Sequence, residues 1–135
     1  MEKPKVTIGA FAIIPDENGD ILYGRRCDDG KWNMPGGGME EGESPWQAVV
    51  RESKEETGLD VEVVRLIGVY NKPAKNDIVF LFLCSKIGGE LTLSDETSEL
   101  KYFSPNNPPE GISERQFERI RDYQENSSTP KLRNQ

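Results

Sequence analysis

The chain has 135 residues, a formal net charge of -7 and no histidine. This length favours one domain with its own core, and the acidic balance argues against a broad nucleic-acid or anionic-membrane surface. Without histidine, Ser-His-Asp and Cys-His mechanisms and an imidazole general base are excluded.

The sequence predicts five strands and two helices. In chain order they are strands over residues 6–14 and 21–26, a helix over 45–57, strands over 61–70, 77–87 and 99–104, and a helix over 113–123. A turn-prone segment joins the first two strands, so we expect them to form a hairpin. The mostly apolar strand over 77–87 is predicted to be central. The domain is expected to span residues 1–124, followed by a disordered tail over 125–135.

The first predicted helix has clear signals at both ends. Ser44 is a favourable N-cap, Pro45 suits the first helical position, and Gln47 completes a capping box. Gly58 can adopt the left-handed conformation that ends a helix. The helix is therefore predicted to run from residue 45 to residue 57.

This helix carries two distinct faces. Helical spacing predicts one buried face, formed by Trp46, Val49, Val50, Ser53 and Thr57. Three glutamates lie on another face beside the small Ala48: Glu52, Glu55 and Glu56. Like charges at this spacing destabilise a helix, and a hard divalent cation would reverse the sign of that interaction. The alternative is a solvated acidic face that Arg51 and Lys54 offset.

The residues around this helix resemble the signature of the Nudix hydrolases. The matching positions are Gly37, Glu43, Arg51, Glu52, Glu55, Glu56, Gly58 and Leu59. Ser53 departs from the pattern, since the family usually has an aliphatic residue there. We expect its hydroxyl to bond back to the carbonyl of residue 49. The resemblance implies the Nudix fold, a mixed-sheet α/β/α sandwich, and metal-dependent hydrolysis of a diphosphate bond.

The resemblance also implies roles for individual residues. Glu52, Glu55 and Glu56, together with the carbonyl of Gly36, are expected to hold Mg²⁺ or Mn²⁺. Arg51 is expected to orient a ligand carboxylate, with Glu43 as its partner. Gly37, Glu43 and Gly58 are expected to be structural. A carboxylate near the strand over 99–104 often adds a metal ligand or general base in similar enzymes. Glu96 is favoured over Glu99 for this role, because loops move more readily toward a substrate.

Three residues before the motif are candidates for substrate binding. Arg25 and Arg26 end a strand, and strand alternation allows at most one of them to face the site. Ordinary surface charge is the alternative for both. Trp32 could stack on a nucleobase or could belong to the core or a surface lid.

The sequence indicates the substrate only faintly. Pro73 follows Leu59 by fourteen residues, and Nudix hydrolases that act on ADP-ribose often carry a proline near that distance. A simple turn also explains this proline. Lys72 and Lys75 flank it and could attract a phosphate. We therefore expect a nucleoside diphosphate linked to another group, or a nucleoside triphosphate, as the substrate.

Two other functions remain open: a nucleotide-sensing module with this fold and little turnover, and a simple acidic protein that binds divalent cations. The expected partner is a small nucleotide, with no membrane partner, and the protein is expected to be a monomer or homodimer. No long apolar run or signal peptide is evident, and Cys27 and Cys84 are expected to be free thiols. We therefore expect a cytoplasmic location.

Overall fold

The computed structural model describes residues 2–135, which form eight strands and two α-helices. In chain order these are β1 (Thr7–Ile13), β2 (Ile21–Arg26), β3 (Trp32–Asn33), β4 (Gly36–Gly38), α1 (Pro45–Thr57), β5 (Leu59–Lys72), β6 (Asp77–Gly89), β7 (Thr97–Phe103), α2 (Glu114–Gln124) and β8 (Lys131–Asn134). Each predicted element lies within two residues of its observed bounds. Strands β3, β4 and β8 are additional.

The strands form two sheets. The larger has the order β4-β1-β6-β5-β8 and is mixed, because β1 and β6 are parallel while β5 and β6 are antiparallel. Strand β6 is central, as predicted. The smaller antiparallel sheet has the order β3-β2-β7. The predicted hairpin between β1 and β2 is limited to one antiparallel bridge, between Pro15 and Ile21, because the two strands themselves belong to different sheets.

The two helices cover opposite faces of the larger sheet. Alternate residues of β1 face opposite ways, and Ala10 and Ala12 pack in one core with Ala48 and Val49 of α1. Ile13 packs in the other core, which also contains Ile120 of α2. The mixed-sheet α/β/α sandwich is confirmed.

Helix α1 begins and ends where the sequence predicts. The Ser44 side chain accepts from the backbone N–H of Gln47, and the Gln47 side chain accepts from the N–H of Ser44. Gly58 has a φ of 80°, in the left-handed region. A β-carbon there would lie 2.3 Å from the carbonyl oxygen of Glu90, so this position has no room for a side chain.

The buried face of α1 differs from the prediction. Trp46 and Val50 are exposed, with 58% and 36% of their surfaces accessible, whereas Ala48 is fully buried. The helix is rotated toward its acidic stripe, so that Glu52 and Glu56 are half-buried. The reason is that small residues allow α1 to approach the sheet closely, which the large indole of Trp46 would prevent.

Ser53 is fully buried, but its hydroxyl has no hydrogen-bond partner among residues 2–135. The predicted bond to the carbonyl of residue 49 is therefore absent. Instead, the hydroxyl of Thr57 donates to the carbonyl oxygen of Ser53 at 2.6 Å and accepts from the N–H of Leu59 at 3.1 Å. These bonds hold the end of α1 against the start of β5.

The C-terminal segment is not a disordered tail. Strand β8 pairs in parallel with β5, placing Leu132 beside Val69. Its Arg133 donates twice to the buried carboxylate of Asp122, which also accepts from the hydroxyl of Tyr70 at 2.8 Å. The polar composition concealed this strand, because polar contacts and backbone pairing hold it in place.

Within residues 2–135, no helix combines the length and apolar character needed to span a membrane.

Candidate active site

A hydrogen-bonded network around Arg51 joins α1 to the loop before it. The guanidinium donates to both carboxylate oxygens of Glu43, at 3.1 and 2.7 Å. It also donates to Glu52 and Glu55, each at 3.1 Å, and to the carbonyl oxygen of Gly38. The predicted contact between Arg51 and Glu43 is thus present. One cation thus binds three carboxylates and a strand end.

Two glycines of β4 allow carboxylates of α1 to approach the backbone closely. A β-carbon on Gly37 would lie 2.7 Å from the carboxylate carbon of Glu52. The N–H of Gly36 donates to Glu56 Oε2 at 2.9 Å. A β-carbon on Gly36 would also collide with β1, at 2.3 Å from the carbonyl oxygen of Ala10. Gly36 and Gly37 are therefore required by packing against β1 and α1.

A cavity of about 280 Å³ opens beside these glycines. Gly36, Gly37 and Glu56 line one side of it, and Glu96 lines another. The loop before β7 brings Glu96 there, and a backbone bond from Cys27 N–H to the Glu96 carbonyl anchors that loop to the end of β2. Glu56 of α1 and Glu96 thus line one cavity, and the expected role of Glu96 as metal ligand or general base stays a prediction. Glu99 does not line the cavity.

Two carboxylates near this cavity, those of Glu52 and Glu56, have raised pKa values. The pKa of Glu56 is raised to about 7, first by burial and then by the charges of Glu52 and Glu96, against the opposing bond from Gly36. Burial also raises the pKa of Glu52, while Arg51 acts in the opposite direction. The site therefore contains more negative charge than its own cations neutralise.

Only one of the two candidate arginines lines the cavity. Arg26 does so, while its guanidinium pairs with Asp28 at 2.6 Å. Arg25 points away from it, donates to the carbonyl of Gly30 and lies 6.0 Å from the ring centroid of Trp32. The two arginines therefore lie on opposite faces of β2, as expected for consecutive residues of a strand.

Trp32 does not line this cavity either. Its half-buried ring packs edge to face on Phe103, with 5.1 Å between ring centroids. The structure thus places Trp32 against the core, on the neighbouring strand to Arg25.

The oxygen-only donor set suits Mg²⁺ or Mn²⁺, and the excess negative charge would be offset by such a cation. Across residues 2–135, however, no three acidic or thiol side chains converge closely enough to hold a metal ion as they stand. Arg51 binds Glu52 and Glu55, and Gly36 binds Glu56. The predicted ligands therefore fit a metal by their chemistry, and the assignment stays a prediction.

Sequence reasoning missed several residues of the cavity wall. They come from four strands and the turn before β4: Phe11, Gly24, Asn33, Met34, Pro35, Thr97 and Leu100. No residue pattern marks them, since tertiary folding alone brings these distant segments together.

A Gly-rich strand leading into a capped, carboxylate-bearing helix on a mixed-sheet sandwich defines the Nudix class of hydrolases. A family model described as the NUDIX domain matches residues 4–123, and the chain belongs to this family. It is a Nudix-type pyrophosphohydrolase.

Relatives of the chain carry different activities. A Bacillus subtilis protein assigned provisionally as an 8-oxo-dGTP diphosphatase is 41% identical over 104 residues, covering 76% of this chain and 70% of the relative. An ADP-ribose pyrophosphatase of Methanocaldococcus jannaschii is 39% identical over 108 residues, covering 76% and 64%. The crystal structure of an ADP-ribose pyrophosphatase from Streptococcus suis superimposes with a TM-score of 0.77 at 28% identity, covering 97% of this chain and all of the other.

Proposed function

We propose that the protein hydrolyses, with a divalent metal, the diphosphate bond of a nucleoside diphosphate linked to another group, with an ADP-ribose-like compound as substrate. The observation that carries the proposal is the cavity shared by Glu56, Glu96 and the glycines of β4. Two relatives named ADP-ribose pyrophosphatases support the substrate class.

The residues proposed to hold Mg²⁺ or Mn²⁺ are Glu52, Glu55 and Glu56, with the carbonyl of Gly36. When bound, such a metal neutralises a diphosphate and lowers the pKa of a coordinated water. Glu55 is exposed and bound to Arg51, so its side chain can reorient at little cost.

Other residues would position the reactants. Arg51 and Glu43 brace the loop and fix the direction of Glu52. Arg26 lies where it can contact a phosphate oxygen, since it lines the same cavity. Glu96 is exposed at the cavity, and we assign it to accept the proton of the attacking water. Hydrolysis by water requires no nucleophilic side chain.

The Bacillus subtilis relative supports a second substrate class, nucleoside triphosphates. A nucleotide-sensing module is the alternative function. All glutamates of the Nudix signature are present here, which supports turnover, because a sensor has no need to retain them.

The experiment is a panel of ADP-ribose, nucleoside triphosphates and dinucleoside polyphosphates, tested with Mg²⁺ and with Mn²⁺. We expect phosphate-bearing products from ADP-ribose, and a large loss of kcat in Glu56→Gln and Glu96→Gln. The matched control is Glu99→Gln, which changes a nearby carboxylate outside the cavity. Tight nucleotide binding without hydrolysis of any compound would support the sensor.

A cytoplasmic location is part of the proposal. Both cysteines are free thiols, Cys27 exposed and Cys84 buried, which suits a reducing compartment.

A further inference from the structure

A second, smaller cavity adjoins the one that contains Glu56. It has a volume of about 150 Å³ and shares three wall residues with the first: Phe11, Asn33 and Met34. The remaining wall comes from the end of β5 and the start of α2: Lys72, Ser113, Arg115, Gln116 and Arg119. A ligand that extends past Asn33 would therefore pass from an acidic cavity into a basic one.

The three cations of this second cavity have few carboxylate side chains near them. Lys72 lies 3.4 Å from one carboxylate oxygen of Asp77. Within residues 2–135, neither Arg115 nor Arg119 has a carboxylate side chain within 4.0 Å; Arg115 donates to the main-chain oxygen of Gln135, and Arg119 donates to its side-chain amide oxygen. Such a concentration of positive charge is unexpected in a chain with a net charge of -7.

Neighbouring acidic groups do not remove this excess. Glu118, also on α2, accepts from the side chain of Gln135 at 3.0 Å and lies 3.9 Å from Arg133. Burial, the largest cause, and the adjacent Arg115 lower the pKa of Arg119, and they outweigh the opposing effects of Tyr70, Asp77 and Glu118. Burial and the charge of Arg119 likewise lower the pKa of Lys72. An anion in the cavity would relieve both the repulsion and the loss of solvation.

A buried acceptor in the same wall points independently to a ligand. Gln116 is 9% exposed, and its Oε1 has no partner among residues 2–135. Its Nε2 donates to Asn33 Oδ1 at 3.1 Å and toward the Trp32 carbonyl at 3.4 Å, which fixes the orientation of the amide. A buried polar atom without a partner is costly, so a ligand hydroxyl that donates here would be favoured.

We propose that this basic cavity is a subsite for a phosphomonoester carried on the ribose of the substrate, remote from the diphosphate that is cleaved. The inference rests on the proposed function, because the diphosphate must lie in the adjoining cavity. A phosphomonoester carries up to two negative charges near neutral pH, opposite in sign to the three cations that line the cavity. The adjacent ribose hydroxyl supplies the donor that Gln116 lacks.

The size of the cavity agrees with this ligand. A volume of about 150 Å³ is small beside the 300–1,000 Å³ typical of pockets for larger ligands. A compact anionic group fits such a space, while the rest of the nucleotide occupies the shared region near Phe11 and Asn33.

The test compares ADP-ribose with ADP-ribose 2′-phosphate in the wild type, Lys72→Gln and Arg115→Gln. We expect the wild type to prefer the 2′-phosphate through a lower KM. Each variant should reduce the ratio of the two kcat/KM values roughly tenfold, the size expected for one charge-assisted hydrogen bond. An equal kcat/KM for both compounds, unchanged in the variants, would overturn the subsite and leave the proposed function intact.

Matched controls distinguish the loss of a cation inside the cavity from the loss of positive charge elsewhere on the surface. Lys75→Gln removes an exposed lysine of the same turn, and Arg121→Gln removes an exposed arginine of α2; neither lines the cavity. Both should leave the ratio unchanged. A thermal melt of every variant identifies any loss that comes from unfolding.

Direct binding keeps the subsite testable if no hydrolysis is found. Calorimetric titration with ADP-ribose 2′-phosphate, in the absence of metal, should show binding that Lys72→Gln and Arg115→Gln weaken and Lys75→Gln does not. Absence of turnover together with this pattern would count against the proposed function alone. Binding that is indifferent to both cations would refute the subsite.

Discussion

The carboxylate of Glu52 lies over Gly37 so closely that a β-carbon at residue 37 would come within 2.7 Å of it. By contrast, a β-carbon on Gly38, the next residue of the same strand, would meet no atom within 4 Å. The two glycines therefore have different functions, although the sequence presents them as one run.

Gly37→Ala should displace the Glu52 carboxylate from its position against β4 while the fold is retained. We expect kcat to fall about a hundredfold, the loss associated with a misplacement of about 1 Å at a reacting group. Gly38→Ala is the control and should retain activity. Steady-state kinetics and circular dichroism spectra of both variants test this. Wild-type kcat in Gly37→Ala would show that the position of Glu52 is not critical.

The raised pKa of Glu56 predicts how stability changes with pH in metal-free buffer. With a folded pKa of about 7 against an ordinary 4.5, the native state binds a proton that the unfolded chain releases between these values. The free energy of unfolding should therefore fall as pH rises through this window. Glu56→Gln should flatten this dependence, whereas Glu41→Gln, in an exposed loop, should not. Urea titrations at pH 5, 6, 7 and 8 measure it, and parallel curves for wild type and Glu56→Gln would contradict the assignment.

Removal of the two buried hydroxyls of α1, those of Ser53 and Thr57, should have different effects on the free energy of unfolding. Ser53→Ala deletes a hydroxyl without a partner and should leave the free energy of unfolding unchanged or raise it by up to about 1 kcal/mol. Thr57→Val deletes one that makes two hydrogen bonds and should lower it by about 1 kcal/mol or more. Chemical denaturation of both variants decides this. A loss above about 1 kcal/mol in Ser53→Ala would indicate a partner for its hydroxyl.

The contacts of Asp122 should make the C-terminal strand part of the cooperative fold. Tyr70→Phe removes one hydrogen bond to Asp122 and should cost about 1 kcal/mol. Arg133→Met removes both charged donors and should cost about 2 kcal/mol. Equilibrium unfolding by urea measures each change. If both variants unfold like the wild type, β8 contributes little to stability.

Local signals in the sequence predicted the local structure well. The capping box and Gly58 gave the bounds of α1 because they act within a few residues of the helix ends. The faces of α1 were less predictable. Hydrophobicity placed Trp46 inside, but close packing on the sheet selected Ala48.

The candidate site also has some features that follow from local sequence and others that arise only from tertiary folding. The contact between Arg51 and Glu43 follows from motif spacing, and the Glu96 loop was identified by its position before β7. The basic cavity could not be predicted, because Lys72 and Arg119 are 47 positions apart in sequence and only tertiary folding joins them. Strand β8 was missed for a related reason, since its partner β5 lies about 60 residues earlier.

The parallel pairing of β1 with β6 has a consequence for how the chain acquires its structure. It aligns Thr7 with Asp77, seventy positions apart, across the centre of the larger sheet. Contacts of such long range slow folding, because a large loop must close before they form. During synthesis, β1 and α1 therefore emerge from the ribosome well before the central strand exists. An N-terminal fragment that stops before Asp77 should remain without stable tertiary structure, with the glutamates of α1 fully solvated.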